Sequence, residues 1–272
     1  MDQRPIGVFD SGLGGLTVVK ELVKLLPHED ILYFGDTGRV PYGTRSPETI
    51  SKYAQQDIAF LRRKDVKMVI AACGTVSAVL PKEVVKGFSF PYSGVVKPAA
   101  QAACAASASG KIGVIGTSAT IKSGAYGKEI RSIRSDAIVI GNACPLFVPL
   151  VENGFIQPDN PVTRMVAQQY LKPILENGVD TLILGCTHYP LIKPIIGELV
   201  GEDVTLIDPG KEAARGAAVL LQSQGLLSGR EQAGELHFYV SDSTQGFEQT
   251  ASVFLHTDSV TGHIEQVDID SL

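Results

Sequence analysis

Two cysteines follow two similar apolar runs in the sequence. Residues 68–72 read Met-Val-Ile-Ala-Ala and precede Cys73, and residues 181–185 read Thr-Leu-Ile-Leu-Gly and precede Cys186. Each run predicts a buried strand that ends abruptly, and in open α/β sheets ligands bind at the carboxyl ends of the strands. We therefore expect a site between two similar halves, with one thiol on each side.

The surroundings of a cysteine decide whether it acts as a base, because only the thiolate is strongly basic and nucleophilic. His188 follows Cys186 by two residues and is a candidate partner. Cys73 has no charged neighbour in sequence, but Asp10 ends the first predicted strand and reaches Cys73 if the two strands are adjacent. Taken singly, each cysteine also fits a small buried core residue. As a matched pair at strand ends, they favour acid/base chemistry.

The other two cysteines have no counterpart in the repeated pattern. Cys104 sits in an alanine-rich segment and Cys144 precedes an apolar run, so both are predicted to pack in the core. The short Cys186-x-His188 pair does not predict a metal site, because no third or fourth ligand lies nearby.

The loop at residues 10–15, Asp-Ser-Gly-Leu-Gly-Gly, permits close approach of its backbone to an anion. Together with Asp36 it imitates a dinucleotide-binding fingerprint. Two details argue against a nucleotide: Thr17 occupies the third glycine position, and Asp10 places a negative charge beside the expected pyrophosphate. A small ligand with a carboxylate and an ammonium group suits this loop better.

Further candidate ligand groups follow the same strand ends. Four threonines are predicted there, either to hold a carboxylate or to cap helices: Thr75, Thr117, Thr120 and Thr187. Pro41-Tyr42-Gly43 is predicted to form an adaptable wall of the pocket. Glu152 follows an apolar run and is either a partly buried carboxylate or a solvated helix end.

The elements that position these residues are α/β units, and their pattern occurs twice. Residues 112–118 parallel residues 6–12, each cysteine strand follows, and Pro98 and Pro209 then occupy equivalent places. This order predicts two similar α/β domains with mainly parallel sheets and the active site in the cleft between them. We expect residues 1–97 plus 209–272 to form the first domain and residues 98–208 the second.

The overall composition excludes several classes of protein. The 272 residues are 44% hydrophobic and 19% charged, with net charge −5 and no extended basic cluster, so no nucleic-acid partner is expected. The longest nearly uncharged apolar stretch, 68–80, is too short to span a bilayer. The sequence shows no signal peptide and no CxxC pair, so we expect a reducing cytoplasm and free thiols.

Over nearly its whole length the chain resembles the cofactor-independent aspartate/glutamate racemase family, and its glutamate-specific members in particular. The matching segments are 7–15, 35–37, 41–43, 72–73 with 75, 112–117, 143–146 and 184–190. The resemblance implies interconversion of L- and D-glutamate, which supplies D-glutamate for peptidoglycan. It also implies no cofactor, glutamate as the small-molecule partner, and a homodimer.

The resemblance assigns roles position by position. Cys73 and Cys186 look like the two acid/base thiols, Asp10 and His188 resemble their assistants, and Glu152 falls where the family has a further catalytic carboxylate. The residues at positions expected to bind substrate are Asp10, Ser11, Pro41, Tyr42, Gly43, Gly74, Thr75, Thr117, Thr120, Thr187 and His188.

One position departs from the family pattern. The family usually reads Ala-Cys-Asn-Thr-Ala where residues 72–76 read Ala-Cys-Gly-Thr-Val. Gly74 offers only a backbone N–H, so we expect a slightly larger pocket and transition-state binding weaker by about 1–3 kcal/mol. Asn at this position is then expected to lower the KM for glutamate. A two-thiol racemase acting on aspartate or a hydantoin, or a noncatalytic binding protein of the same fold, remain alternatives.

Overall fold

The computed structural model describes residues 1–255, 257 and 262–271, whose strands form two parallel sheets. The strands are β1 (Ile6–Asp10), β2 (Ile31–Gly35), β3 (Met68–Ala71), β4 (Tyr92–Gly94), β5 (Lys111–Gly116), β6 (Ile138–Ala143), β7 (Thr181–Gly185), β8 (Thr205–Ile207), β9 (Leu236–Val240) and β10 (His263–Gln266). The first sheet has the order β10-β9-β2-β1-β3-β4 and the second β6-β5-β7-β8. We call the parts built on them the first half and the second half.

Helices cover both sheets and connect their parallel strands. They are α1 (Leu16–Leu25), α2 (Pro47–Arg63), α3 (Gly74–Val79), α4 (Lys82–Lys86), α5 (Val96–Ala106), α6 (Ser118–Ser123), α7 (Ala125–Ile133), α8 (Phe147–Glu152), α9 (Pro161–Leu175), α10 (Lys193–Val200), α11 (Pro209–Ser223) and α12 (Phe247–Leu255). The α2 helix begins as its sequence predicts, with Pro47 in the first turn and the Ser46 side chain accepting a hydrogen bond from the Thr49 amide. Within the described residues, no helix is both long enough and apolar enough to cross a bilayer.

The two sheets repeat one arrangement of strands. The order β2-β1-β3-β4 in the first sheet matches β6-β5-β7-β8 in the second. Gly7 pairs with β2 on one side and β3 on the other, and Gly113 occupies the same place between β6 and β7. The predicted fold class, two similar α/β units with parallel sheets, is therefore confirmed.

The chain passes from one sheet to the other in the two segments that contain the predicted prolines. Pro98 lies in the first turn of α5, Pro209 is the first residue of α11, and these two helices contact each other. The strands of the first sheet come from residues 6–94 and 236–266, those of the second from 111–207. The division into domains between residues 97 and 98 and between residues 208 and 209 stays a prediction. The predicted segment 209–272 includes residues 256, 258–261 and 272, which lie outside the described residues.

The central strands are buried on both faces, and this explains their uninterrupted apolar sequences. Every residue of β1, β2, β3 and β7 is buried, whereas the edge strand β6 is partly exposed. At the opposite end of the first sheet from the cysteines, the Lys67 ammonium lies 2.5 Å from the Glu29 carboxylate, with both side chains almost fully buried. A buried charge needs such a partner, and this pair lies directly before β3.

Candidate active site

The carboxyl ends of strands from both sheets converge on one cavity of about 350 Å³. This is within the size range of small-ligand pockets, about 300–1,000 Å³. All of the predicted site residues except Thr120 line it: Asp10, Ser11, Pro41, Tyr42, Gly43, Cys73, Gly74, Thr75, Thr117, Glu152, Cys186, Thr187 and His188. The two cysteines reach it from different halves, because one follows β3 and the other follows β7.

Cys73 is connected to Asp10 through a hydroxyl group. The β1 and β3 strands pair directly, so both residues end at the same sheet edge. The Cys73 thiol donates to Ser11 Oγ at 3.6 Å, and the Ser11 hydroxyl in turn lies 3.4 Å from Asp10 Oδ1. Burial, reinforced by the Asp10 carboxylate, raises the pKa of Cys73 well above its usual range. Cys73 is therefore a protonated thiol at neutral pH, ready to donate.

Cys186 has a cationic neighbour instead. Its sulfur lies 3.8 Å from His188 Nδ1, while His188 Nε2 lies 3.0 Å from a Glu152 carboxylate oxygen. Burial lowers the pKa of His188, but the hydrogen bonds with Cys186 and Glu152 outweigh it and raise that pKa to about 10. The ring is then charged at neutral pH, and a cation beside a sulfur stabilises the thiolate. Phe254, with its ring centroid 5.3 Å away, contacts the imidazole edge-on.

The two thiols thus differ in charge environment although their strands are equivalent. Cys73 faces a carboxylate through Ser11, and Cys186 faces an imidazolium. The Cys73 side of the cavity therefore carries a negative neighbour and the Cys186 side a positive one. A pair of this kind can deliver a proton to one face of a bound carbon atom and remove one from the opposite face.

Hydroxyl groups from both halves provide contacts for a carboxylate. Thr75 Oγ1 and Thr117 Oγ1 lie 3.0 Å apart across the boundary between the halves. The Thr187 hydroxyl lies beside His188, with 3.3 Å between Oγ1 and Nδ1. Hydroxyls donate readily to carboxylate oxygens. No group of three or more metal-ligating side chains occurs in the part of the chain that the structure describes.

The hydrogen bonds made by the glycine-rich loop at residues 10–15 and by Asp36 disfavour nucleotide binding. Asp10 Oδ2 accepts a hydrogen bond of 2.6 Å from the Gly15 amide, which would otherwise face a phosphate. Asp36 is fully buried, where it is paired with Arg39 and hydrogen-bonded to Ser241. It is therefore not free to contact a ribose. The carboxylate-plus-ammonium interpretation of this loop fits better.

The sequence of the chain and its fold both have known relatives. The profile of the Asp/Glu/Hydantoin racemase family matches residues 6–217. The chain belongs to this family. The glutamate racemase of Geobacter metallireducens is 46% identical over 271 residues, spanning 100% of this chain and 99% of that protein.

Two solved structures of racemases superpose closely on the chain. The crystal structure of a glutamate racemase isoform from Bacillus anthracis has a TM-score of 0.93 at 36% identity, over 98% of each chain. That of the glutamate racemase of Francisella tularensis, in complex with D-glutamate, has a TM-score of 0.91 at 40% identity, over 100% of both chains. These matches extend over both sheets, so the racemase fold covers the whole molecule.

Two expectations about this racemase-family site are corrected by the structure. Thr120 does not border the cavity: it is buried in the first turn of α6, where its hydroxyl lies 2.9 Å from Thr117 Oγ1. The Tyr42 side chain is not an adaptable wall either. Its hydroxyl is hydrogen-bonded to two buried carboxyl groups, Asp36 and Asp57, and these bonds hold the ring in place.

The interpretation that Gly74 leaves extra space is also wrong. A Cβ built on Gly74 would lie 2.6 Å from the backbone oxygen of Gly185, well inside ordinary contact. The direction that a side chain would take is filled by the second half of the molecule. Sequence alone gives no sign of this contact, because the two residues are far apart in the chain.

The two remaining cysteines differ in position. Cys104, predicted to pack in the core, is only half-buried in α5, where it packs against the edge of a core cluster with its sulfur 3.8 Å from the backbone oxygen of Ile130. Cys144 is fully buried, as predicted, but it also borders the cavity together with Pro145 and Val148. This wall was missed, although it follows the carboxyl end of β6 at the same sheet edge.

Proposed function

We propose that this protein interconverts L- and D-glutamate by proton transfer between Cys73 and Cys186 across the substrate α-carbon, without a cofactor. The observation that carries the proposal is the pair of thiols, one from each half, at one cavity and in opposite electrostatic surroundings. Family membership and close similarity to a structure in complex with D-glutamate support the choice of substrate.

The proton transfers follow from the charges around each sulfur. With one enantiomer, the Cys186 thiolate forms an S–H bond as the α-C–H bond breaks, and the electron pair is delocalised into the substrate carboxylate. Cys73 then gives its proton to the opposite face and becomes the thiolate. The roles reverse for the other enantiomer. By family resemblance, Cys186 acts on L-glutamate and Cys73 on D-glutamate.

The other cavity residues orient the substrate and stabilise charge. The Ser11, Thr75, Thr117 and Thr187 hydroxyls are positioned to hold carboxylate groups, and Asp10 is positioned to face the ammonium. Fixed dipoles in a cavity that excludes water stabilise the carbanionic intermediate more strongly than water does. The His188 imidazolium offsets the charge of the Cys186 thiolate between turnovers.

The biological setting belongs to the same proposal. D-glutamate made here supplies peptidoglycan synthesis, and the enzyme acts in the cytoplasm as a homodimer, as the family resemblance implies. The four free cysteines suit a reducing compartment. Light scattering of the purified protein measures its mass in solution and tests the dimer.

Solvent-deuterium exchange tests the two-thiol mechanism. Wild-type protein in D₂O is expected to place deuterium at Cα of glutamate with inversion. Cys73→Ala should lose inversion by orders of magnitude and keep exchange into L-glutamate only, while Cys186→Ala should keep it into D-glutamate only. Cys104→Ala is the matched control. Racemisation by Cys73→Ala at the wild-type rate would refute the two-thiol mechanism. Exchange into aspartate instead of glutamate would favour a related two-thiol racemase, and exchange into no amino acid would favour a noncatalytic binding protein.

A further inference from the structure

A cluster of buried ionisable side chains includes Tyr42, which lines the cavity. Asp36 follows β2, Asp57 lies inside α2, and both are fully buried. The Tyr42 hydroxyl is hydrogen-bonded to one oxygen of each carboxyl group, Asp36 Oδ2 and Asp57 Oδ2. Arg39 pairs with both, through Nε to Asp36 at 2.7 Å and through Nη2 to Asp57 at 3.1 Å. Two acidic groups therefore share one phenol and one guanidinium group.

The number of hydrogen atoms at the Tyr42 hydroxyl requires a proton on one of the two acids. The Tyr42 oxygen lies between Asp36 Oδ2 and Asp57 Oδ2, with 3.2 Å to the latter. Each of the two contacts needs one hydrogen atom, but a phenol supplies only one. Ionised carboxylates only accept hydrogen bonds, so the second hydrogen must come from a protonated carboxyl group.

The partners of Asp36 are those of an ionised carboxylate. Its Oδ2 accepts a hydrogen bond of 2.7 Å from the charged Arg39 Nε, and its Oδ1 accepts one of 2.7 Å from the Ser241 hydroxyl. Besides Tyr42, the Arg39 guanidinium at 3.1 Å is the only hydrogen-bond partner of the Asp57 side chain among the described residues. A negative charge is therefore better compensated on Asp36, and the proton belongs on Asp57.

We infer that Asp57 is a protonated carboxylic acid at neutral pH and a positioning residue for the cavity wall, because its O–H donates to Tyr42. Tyr42 and Gly43 line the cavity, and a Cβ on Gly43 would lie 3.0 Å from Cβ of Thr117 in the second half. The bond from Asp57 thus holds the segment that meets the opposite half. Its consequence for glutamate binding rests on the proposed function, whereas the protonation of Asp57 does not.

The surrounding charges favour the neutral form of Asp57. Burial, and after it the negative charge of Asp36, raise the pKa of Asp57 well above its usual range, although the Arg39 cation acts in the opposite direction. Asp10 adds a smaller contribution that also raises this pKa. The exposed Asp270 carboxylate lies 3.6 Å from Arg39 Nη1 and draws on the same cation. One guanidinium group therefore faces three acids.

A proton held by Asp57 changes how stability depends on pH. In the unfolded chain an aspartate ionises near pH 4, whereas Asp57 keeps its proton in the folded chain. The folded wild type therefore loses stability from this group as pH rises above about 4. Asp57→Asn keeps the shape of the side chain and does not titrate. Relative to the wild type, its folding equilibrium constant should rise by up to about tenfold per pH unit between about pH 5 and about pH 8.

Asp180→Asn is the matched control, because Asp180 is held in the ionised form. Burial raises the pKa of Asp180, but hydrogen bonds from Ser107 and Ser109 outweigh burial and lower that pKa below its usual range. This carboxylate is ionised in both the folded and the unfolded chain between about pH 5 and about pH 8. The stability of Asp180→Asn should therefore differ from that of the wild type by a constant amount across this range.

The experiment combines urea unfolding of the three proteins across this pH range with infrared spectra of the folded proteins. At neutral pH the wild type should show the C=O band of a protonated carboxyl group, and Asp57→Asn should lack the part due to Asp57. A constant offset in the stability of Asp57→Asn, like that of the control, would overturn the inference. So would a wild type without the band, or a band that Asp57→Asn leaves unchanged.

Glutamate kinetics test the positioning role. Asp57→Asn should keep kcat and change KM by less than about twofold, because its amide N–H replaces the O–H that donates to Tyr42. Asp57→Leu lacks this donor and should raise KM at least about fivefold, with a smaller effect on kcat. A KM of Asp57→Asn raised as far as that of Asp57→Leu, or a wild-type KM in both, would overturn this role. If the wild type does not racemise glutamate, the proposed function fails, while the unfolding and infrared measurements still decide the protonation of Asp57.

Discussion

Replacing Glu152 by Gln tests whether the negative charge of the Glu152 carboxylate, which is hydrogen-bonded to His188, keeps the imidazole ring protonated. The amide keeps the shape of the side chain but removes the negative charge 3.0 Å from His188 Nε2. Without that charge the protonated ring is less stabilised, so the pKa of His188 falls from about 10 towards its ordinary 6.5. The His188 ring of Glu152→Gln should therefore lose its proton at a lower pH than the ring of the wild-type protein.

The size of this change follows from the exposure of the two partners. The His188 side chain is 10% exposed but the Glu152 side chain is 52% exposed, so solvent screens much of their interaction. A charge-assisted hydrogen bond in such a half-screened position contributes roughly 1 kcal/mol, which corresponds to somewhat under one pKa unit. We therefore expect the pKa of His188 in Glu152→Gln to be lower by about 0.5–1 unit. The bond to Cys186 accounts for the remaining elevation.

The assay is an NMR titration of the His188 Cε1 proton together with the alkaline limb of the kcat/KM profile. Glu198→Gln is the matched control, since Glu198 forms an exposed ion pair with Arg164. Stability gives a second readout. Because the folded-state pKa of His188 is raised, its contribution is complete below about pH 6.5 and is lost as pH rises through about 10. A His188 pKa in Glu152→Gln equal to that of the wild type would refute the reasoning.

Three other substitutions have defined outcomes. Tyr42→Phe removes hydrogen bonds to buried carboxyl groups, including Asp57, and should lower the free energy of unfolding by about 1–3 kcal/mol in urea titrations. Lys67→Met leaves Glu29 buried without its cation and should cost about 3–5 kcal/mol by the same measurement, with Glu29→Gln added to the variant recovering part of the loss. Cys104→Ala should change stability by at most about 0.5–3 kcal/mol and leave kcat/KM unchanged.

Much of the fold could be predicted because its signals are local. Continuous apolar runs predict strands buried in a parallel sheet, and the repeated order of landmarks predicts two similar sheets. Once β1 and β3 are adjacent, the place of Asp10 beside Cys73 follows from the rule that parallel strands end at one edge. The family resemblance, rather than periodicity, supplied the role of Glu152.

The errors concern directions and distances that arise only in the folded chain. Thr120 follows the β5 strand closely in sequence, but one helical turn places it behind Thr117. The partners of Tyr42 come from other elements, and the obstacle beside Gly74 is a carbonyl group 111 residues away in sequence. Tertiary packing decides all three, so no local pattern reveals them.

The unequal surroundings of the two cysteines have a consequence for saturation kinetics. In the proposed mechanism, free enzyme exists in two proton forms: one accepts a proton from L-glutamate at Cys186, and the other accepts a proton from D-glutamate at Cys73. The His188 imidazolium favours the first form, while the burial of Cys73 and its Asp10 neighbour disfavour the second. Only a small fraction of the free enzyme can then bind D-glutamate productively, and the apparent affinity for D-glutamate is lower by that fraction. Because the two enantiomers have equal free energy, their kcat/KM values must be equal. The enzyme should therefore show a higher KM and, in proportion, a higher kcat for the D enantiomer.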